Sequence, residues 1–367
     1  MRTGFKLLLT TDSVGGVWQY SLDLARHLTR NDVEICLAVL GPPASAAQQA
    51  EAGAIEGLQL IETGEALDWL AEDPAALVRA GRRLATLAAD ERVHLVHLNS
   101  PALAAETAFP VPLLAVAHSC LGTWWEAVRA EPLPADFAWR NALHGRGLAR
   151  AARAVTPSAS FAAATARCHR LARPPLAVHN GRSPLPLGKG PMHDFALTAG
   201  RLWDAGKNVE TLDRAAGQLH FPFKAAGKSA GENGETGRFE HLSLLGQLDE
   251  SALGQLLGAR PVFASAALYE PFGLAVLEAA AAGCPLVLSD IASFREMWGG
   301  VAIFIPPRDD RGFAEAIGSL VGDVSRRIAA GDAARERASR FTVAAMGDAM
   351  LGHYRQLLGQ RGARAAA

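Results

Sequence analysis

The sequence predicts an α/β protein built as two doubly wound domains. Three observations carry this expectation. Short apolar runs of buried-strand length alternate with longer helical stretches. The alternation stops at a Gly/Pro-rich break near the middle of the chain and then starts again. The chain, at 367 residues, is long enough for two cores of roughly 100–200 residues each. Strand and helix in alternation imply parallel strands, because a parallel pair needs a crossover that lays helices on the sheet faces.

In the first half the strand candidates are residues 5–9, 34–40, 93–98, 113–117, 154–156 and 176–178, with helical stretches at 17–28, 74–89 and 137–152. The run 181–190, Gly-Arg-Ser-Pro-Leu-Pro-Leu-Gly-Lys-Gly, cannot hold a helix or a central strand, and it reads as an inter-domain linker. Strands then recur at 195–199, 221–225, 241–245, 261–265, 285–288 and 301–305. Helices are expected at 209–219, 250–257 and 274–282, and the chain closes with helices at 313–320, 324–339 and 343–358. The polar, glycine-rich stretch 227–238 reads as a mobile loop. The expected domains are 1–182 and 191–340, with a C-terminal helical segment, 341–367, free to return to the first domain. Such paired domains bind ligands in a cleft at the carboxyl ends of their strands.

Composition narrows the function classes. Apolar residues are 49% and charged residues 20% of the chain, enough for real cores and unlike a disordered protein. Lys plus Arg number 36 against 37 acidic residues, so a whole-protein basic field for nucleic acid is absent. Cys36, Cys120, Cys168 and Cys284 are far apart with no CxxC pair, and they read as buried thiols in a reducing cytosol rather than as a zinc site or redox pair. The apolar run before Thr11 is too short for a signal-peptide core, and no stretch has the length of a membrane span. The expected location is cytoplasmic, with peripheral membrane contact open.

Four segments carry candidate chemistry. The loop Thr10-Thr11-Asp12-Ser13-Val14-Gly15-Gly16 joins a strand to a helix. Gly15 and Gly16 let a ligand approach the backbone, and a helix start offers N–H groups to a phosphate. An ordinary tight turn has the same pattern, and the loop is not a GxGxxG dinucleotide fingerprint. Arg201 and Lys207 follow the first strand of the second half, where a guanidinium can grip a diphosphate bidentately and an ammonium adds a point charge. In Tyr269-Glu270-Pro271-Phe272-Gly273-Leu274, an acid precedes a turn that opens a helix, and Glu278 lies eight positions further on. Glu278 is flanked by alanines and leucines, so a buried carboxylate there needs a partner; the hydroxyls of a ribose would serve. His118 emerges from the strand at 113–117. His94 and His97 sit three apart on one strand and point to opposite faces, so they cannot ligate one metal there.

Together these segments resemble the retaining GT-B glycosyltransferases of family 4 (glycosyl transferases group 1), over nearly the whole chain and in order. Gly15-Gly16, Val96-His97, His118-Ser119, Val155-Thr156-Pro157-Ser158 and His179-Asn180-Gly181 match that pattern. So do Gly200-Arg201-Leu202 with Lys207, Gly283-Cys284-Pro285 and Ser289-Asp290. Glu270 through Glu278 matches the EX7E signature. The resemblance implies two Rossmann-like domains facing across a cleft and a nucleotide-diphosphate sugar as donor. It implies that Arg201 and Lys207 bind the diphosphate, Glu278 the ribose, and Glu270 lies near the transferred sugar. Phe272, Gly273 and Leu274 would contact the sugar through their backbone, and His118 would hydrogen-bond it or support the reacting centre; His118, Glu270, Arg201 and Lys207 would be the catalytic residues. Gly15 and Gly16, as the family's N-terminal glycine loop, would bind substrate. Configuration would be retained, through an oxocarbenium-like species stabilised by fixed donors and cations. The chain has no DxD triplet, the usual diphosphate metal motif of a different glycosyltransferase fold, so no metal or other cofactor is expected. The departures are an Arg201-to-Lys207 spacing one residue longer than common, His179 in place of a proline, and Arg182-Ser183 where an apolar residue and an acid are common.

The segment 122–153 holds Trp124, Trp125, Trp139, Arg129, Arg140, Arg146, Arg150 and Arg153. It reads either as an acceptor surface for sugars, phosphates or acidic lipids, or as a helix with core aromatics and a solvated basic face. Two alternatives to transfer remain on sequence grounds: a nucleotide-sugar epimerase or hydrolase of the same fold, and a non-catalytic nucleotide-sugar-binding protein.

Overall fold

A computed structural model describes residues 4–231 and 234–365. Contacts divide the chain into two compact units. The first takes the chain to Glu126, then Ala130–Gly181, and then everything from Val343 onward. The second takes Ala127–Arg129 and Arg182–Thr342.

The first unit is a seven-stranded parallel sheet of β1 (Phe5–Asp12), β2 (Val33–Leu40), β3 (Leu58–Glu62), β4 (Leu95–Leu98), β5 (Leu113–Val116), β6 (Arg153–Thr156) and β7 (Leu176–Ala177), ordered β3-β2-β1-β4-β5-β6-β7. Its crossovers are α1 (Gly16–Thr29), α2 (Ala46–Gly53), α3 (Pro74–Asp90), α4 (Leu121–Val128), α5 (Ala135–Arg150) and α6 (Ala159–His169). Strand β1 shows why the run is apolar throughout. Leu7 and Leu9 enter a core shared with α1, while Leu8 enters the opposite core shared with α3. A strand covered on both faces has no solvent side to keep polar.

The second unit repeats the plan. Its six parallel strands are β8 (Ala196–Ala199), β9 (Phe223–Ala226), β10 (Ser243–Gly246), β11 (Val262–Ser265), β12 (Leu286–Ser289) and β13 (Ile303–Ile305), ordered β10-β9-β8-β11-β12-β13. Its helices are α7 (Val209–Ala216), α8 (Glu250–Gly258), α9 (Leu274–Ala281), α10 (Ala292–Trp298), α11 (Asp310–Gly322) and α12 (Val324–Ala338). The last helix, α13 (Val343–Ala365), packs on the first unit: Met346, Met350 and Tyr354 join the core of β1 and α1, and His27 meets Asp348 at 2.9 Å.

Two irregular segments singled out from the sequence take definite positions here. The division between the units falls at Gly181/Arg182, at the start of the run 181–190. Leu185 is buried in the second unit's core, and a Cβ on Gly254 of α8 would sit 2.2 Å from Pro186 O, so this irregular segment is strapped onto α8. The loop 227–238 closes on itself: Gly231 N donates to Glu235 O at 2.8 Å and Gly237 N to Ser229 O at 2.7 Å. Residues 232 and 233 of that loop lie outside the described residues.

Close packing in the first unit makes one sharp demand. A Cβ on Gly147 of α5 would lie 1.7 Å from Pro101 O, in the 3-10 turn after β4. Gly147→Ala is therefore expected to destabilise the first unit by about 3 kcal/mol, the cost of forcing apart an overpacked contact. A thermal melt would register it; an unchanged midpoint would mean that α5 slides away freely.

Candidate functional site

In a doubly wound sheet the ligand crevice opens at the carboxyl ends of the strands, where the strand order reverses. In the second unit that point lies between β8 and β11. The loop after β8 carries Arg201 and Lys207; the loop after β11 carries Glu270 and leads into α9. The two loops are laced together. Asp204 Oδ1 accepts from Gly206 N at 2.8 Å and holds the 3-10 turn Ala205–Lys207. Gly206 O accepts from Leu268 N at 2.9 Å and Tyr269 N at 3.2 Å. Asn208 stands in the left-handed region at φ 52 and donates through Nδ2 to Ala266 O at 2.9 Å and Pro307 O at 2.6 Å.

This lacing brings Lys207 and Glu270 together as an ion pair, Nζ to Oε2, with side chains 22% and 16% exposed. Ser293 Oγ donates to Glu270 O at 2.5 Å and fixes the acid's backbone. Arg201, on the same loop, points to solvent: it is 59% exposed, reaches Asp204 Oδ2 at 3.0 Å and lies 5.6 Å from the Trp203 ring centroid. Gly273 starts α9 at φ +93, a conformation that suits glycine, and among the described residues no side-chain cap bonds this helix start. The first intrahelical donor is Leu277, to Gly273 O, so the first-turn N–H groups and the positive helix end face outward beside the Lys207–Glu270 pair. The Phe272 ring is buried, edge-on to Phe341 at 5.8 Å, so its side chain serves the core.

Glu278, on α9, has a protein partner that the sequence reading did not supply. Arg182 Nε donates to Glu278 Oε1 at 2.7 Å, and the same guanidinium reaches Glu250 Oε1 at 2.5 Å. The expected group of two cations and two acids is therefore two ion pairs of different composition, Lys207–Glu270 and Arg182–Glu278, with Arg201 on its own turn.

Gly15, Gly16 and His118 belong to the first unit. Gly15 and Gly16 are exposed, but Asp12 Oδ1 already accepts from Val14 N at 2.9 Å and Gly15 N at 3.0 Å. Those two donors are therefore already engaged ahead of the helix start at Gly16. His118 sits after β5 with Nε2 2.8 Å from Asn99 Oδ1 and its ring edge-on to Tyr20. Asn99 Nδ2 donates to Thr10 O at 2.6 Å, which turns its Oδ1 toward both His118 and His97 Nε2, the latter at 3.0 Å. Each imidazole thus donates through Nε2–H and keeps a bare Nδ1. The Nδ1 of His97 accepts from the Tyr354 hydroxyl at 2.6 Å. Burial lowers the pKa of His97 to about 3, helped by the nearby His118, and burial lowers that of His118 to about 4; both rings are neutral at physiological pH. Asn99 was missed from sequence. Its only signal was a polar residue directly after an apolar strand.

Most of the Trp/Arg segment belongs to the first unit, although Ala127–Arg129 group with the second. The Arg140 guanidinium stacks 4.5 Å from the Trp139 ring, Arg146 pairs with Glu106 at 2.8 Å, and Arg153 reaches His353 Nδ1 at 2.8 Å. No helix among the described residues is long and apolar enough to cross a membrane.

Comparison with known proteins adds three kinds of finding. The profile described as "Glycosyltransferase Family 4" matches residues 14–184, and that described as "Glycosyl transferases group 1" matches residues 194–323. A glycogen synthase of Mycobacterium tuberculosis is 40% identical over 95 residues, which are 25% of this chain and 23% of that protein. The match thus spans about a quarter of the relative's length. The fold is that of sucrose-phosphate synthase from Thermosynechococcus elongatus, with TM-score 0.79, 19% identity and coverage of 97% of this chain and 100% of that one. It is also that of Anabaena HepE in complex with UDP and glucose, with TM-score 0.71, 17% identity and coverage of 95% and 99%.

Proposed function

Since the chain belongs to the group 1 and family 4 glycosyltransferases of the GT-B fold, we propose that it transfers a sugar from a nucleotide-diphosphate donor to an acceptor with retained configuration. The observation that carries this reading is the Lys207–Glu270 pair beside the uncapped start of α9, at the strand-order reversal of the second unit. That arrangement offers a fixed cation and outward backbone donors to the anionic part of a donor, and an acid within reach of them. The complex of HepE with UDP and glucose supports the donor class.

In this reading Lys207 and Arg201 bind the diphosphate without a metal ion. As the anomeric C–O bond breaks, its electron pair passes to the β-phosphate oxygen, and the two cations stabilise the charge that collects there. The acceptor oxygen attacks from the same face, and its proton passes to the departing phosphate. The amides of Gly273 and Leu274 hold sugar hydroxyls. Glu278 takes the ribose hydroxyls and shares its carboxylate with Arg182. His118 presents its bare Nδ1 as a hydrogen-bond acceptor for a substrate hydroxyl.

A panel of UDP-, GDP- and ADP-sugars in a thermal-shift assay tests the reading. One of them is expected to raise the melting temperature, since ligand at 100 times Kd adds about 2.7 kcal/mol. No shift with any donor would overturn it. Release of the sugar into water, with no acceptor product across a broad set, would make the protein a hydrolase instead.

A further inference from the structure

We propose that the first unit carries a zinc site formed by Cys120, Cys168 and His169. The ligand atoms of these three side chains lie within 4.8 Å of one another. Cys120 Sγ and His169 Nε2 stand 3.4 Å apart. An ion bound tetrahedrally, with metal–sulfur at about 2.3 Å and metal–nitrogen at about 2.0 Å, sets that edge at about 3.5 Å. This pair already has ligand spacing, and small side-chain shifts close the remaining edges. Two thiols and an imidazole form a donor set that suits zinc and disfavours magnesium or calcium.

The surroundings are those of a built site. Thr123 N donates to Cys120 Sγ at 3.3 Å, and Asn141 Nδ2 donates to Cys168 Sγ at 3.9 Å. N–H donors aimed at sulfur orient and stabilise a thiolate. Two glycines make room for the ligands. A Cβ on Gly122 would lie 2.5 Å from Cys168 Sγ, and one on Gly145 would lie 2.8 Å from His169 Nδ1. His144 is buried and stacks on His169 with ring centroids 5.2 Å apart; its Nε2 has no hydrogen-bond partner among the described residues. It stands ready as a fourth ligand after a modest ring movement. Cys168 and His169 also line an open cavity of about 1060 Å³, which gives an ion a path inward. The site joins the loop after β5 to the end of α6. Cys120 lies two residues beyond His118, so a bound ion would pin the loop that carries that histidine.

The experiment uses the full chain, stripped of metal with a chelator and kept reduced without air. Titration with cobalt(II) and then zinc is expected to show one ion per chain and a thiolate-to-cobalt charge-transfer band that zinc abolishes. Zinc should also shield Cys120 and Cys168 from alkylation, a readout on the native chain that does not depend on a variant folding. Asn141→Ala should weaken zinc binding by about 10–100-fold, the usual effect of losing a supporting hydrogen bond. Cys36→Ser, remote from the cluster, should change none of these signals. Absence of the cobalt band, or zinc binding that leaves both thiols equally reactive, would overturn the site. A Cys120–Cys168 disulfide in the isolated protein, with no metal uptake after reduction, would replace it with a redox pair.

Discussion

Lys207→Ala is expected to lower kcat/KM for sugar transfer by about 10²–10³-fold, the usual loss when one fixed donor to a developing oxyanion is removed. The reason lies in how Lys207 is held. Its turn is laced to the loop after β11 through Gly206 O, and Glu270 orients its ammonium. A preorganised charge pays little to reorganise as the phosphate departs, so its effect falls on the transition state and appears in kcat. Arg201→Ala should cost less, because that guanidinium is exposed and turns on its own Asp204. Kinetics of both variants with donor affinity measured in parallel decide the matter. A Lys207 variant with normal kcat and only weaker donor binding would reduce the lysine to ground-state attraction.

Glu278→Ala is expected to lose nucleotide affinity and, separately, to destabilise the second unit by about 3 kcal/mol, the low end for breaking a buried ion pair. The Arg182 side chain is 7% exposed and would lose its partner on α9, while Glu250, which it also meets, is 50% exposed. Arg182→Met combined with Glu278→Leu should recover much of the stability, since no buried charge is then left alone, while nucleotide affinity stays low. Chemical denaturation of the single and double variants reads the first effect, and nucleotide titration the second. If the double variant were no more stable than Glu278→Ala, the pair would not be the origin of the cost. If nucleotide affinity survived in both, the ribose role of Glu278 would fall.

The same residues show how far the sequence could be read. The Glu270–Glu278 segment and the Arg201–Lys207 loop were legible because each combined a strand end, a turn and a helix start in a few consecutive positions. The long central strands were legible because burial on both faces makes them apolar throughout. Strand β3 escaped notice because it is an edge strand, half exposed along its length, so its polar residues break the run. Helices α2 and α6 escaped because alanine-rich stretches carry a weak periodic signal. Arg182 was visible only as a departure from a family pattern, with nothing nearby to say that it would close on Glu278.

By itself, then, the sequence determined the repeated α/β plan, the parallel sheets and the loops that hold the candidate chemistry, because all of these follow from local periodicity and from where turn residues interrupt it. Partnership was decided only in three dimensions. Arg182 meets Glu278 across 96 positions, and Cys120 meets His169 across 49. Crossover connections place the ends of distant strands and helices side by side, and no local spacing encodes which charge or thiol will find another there.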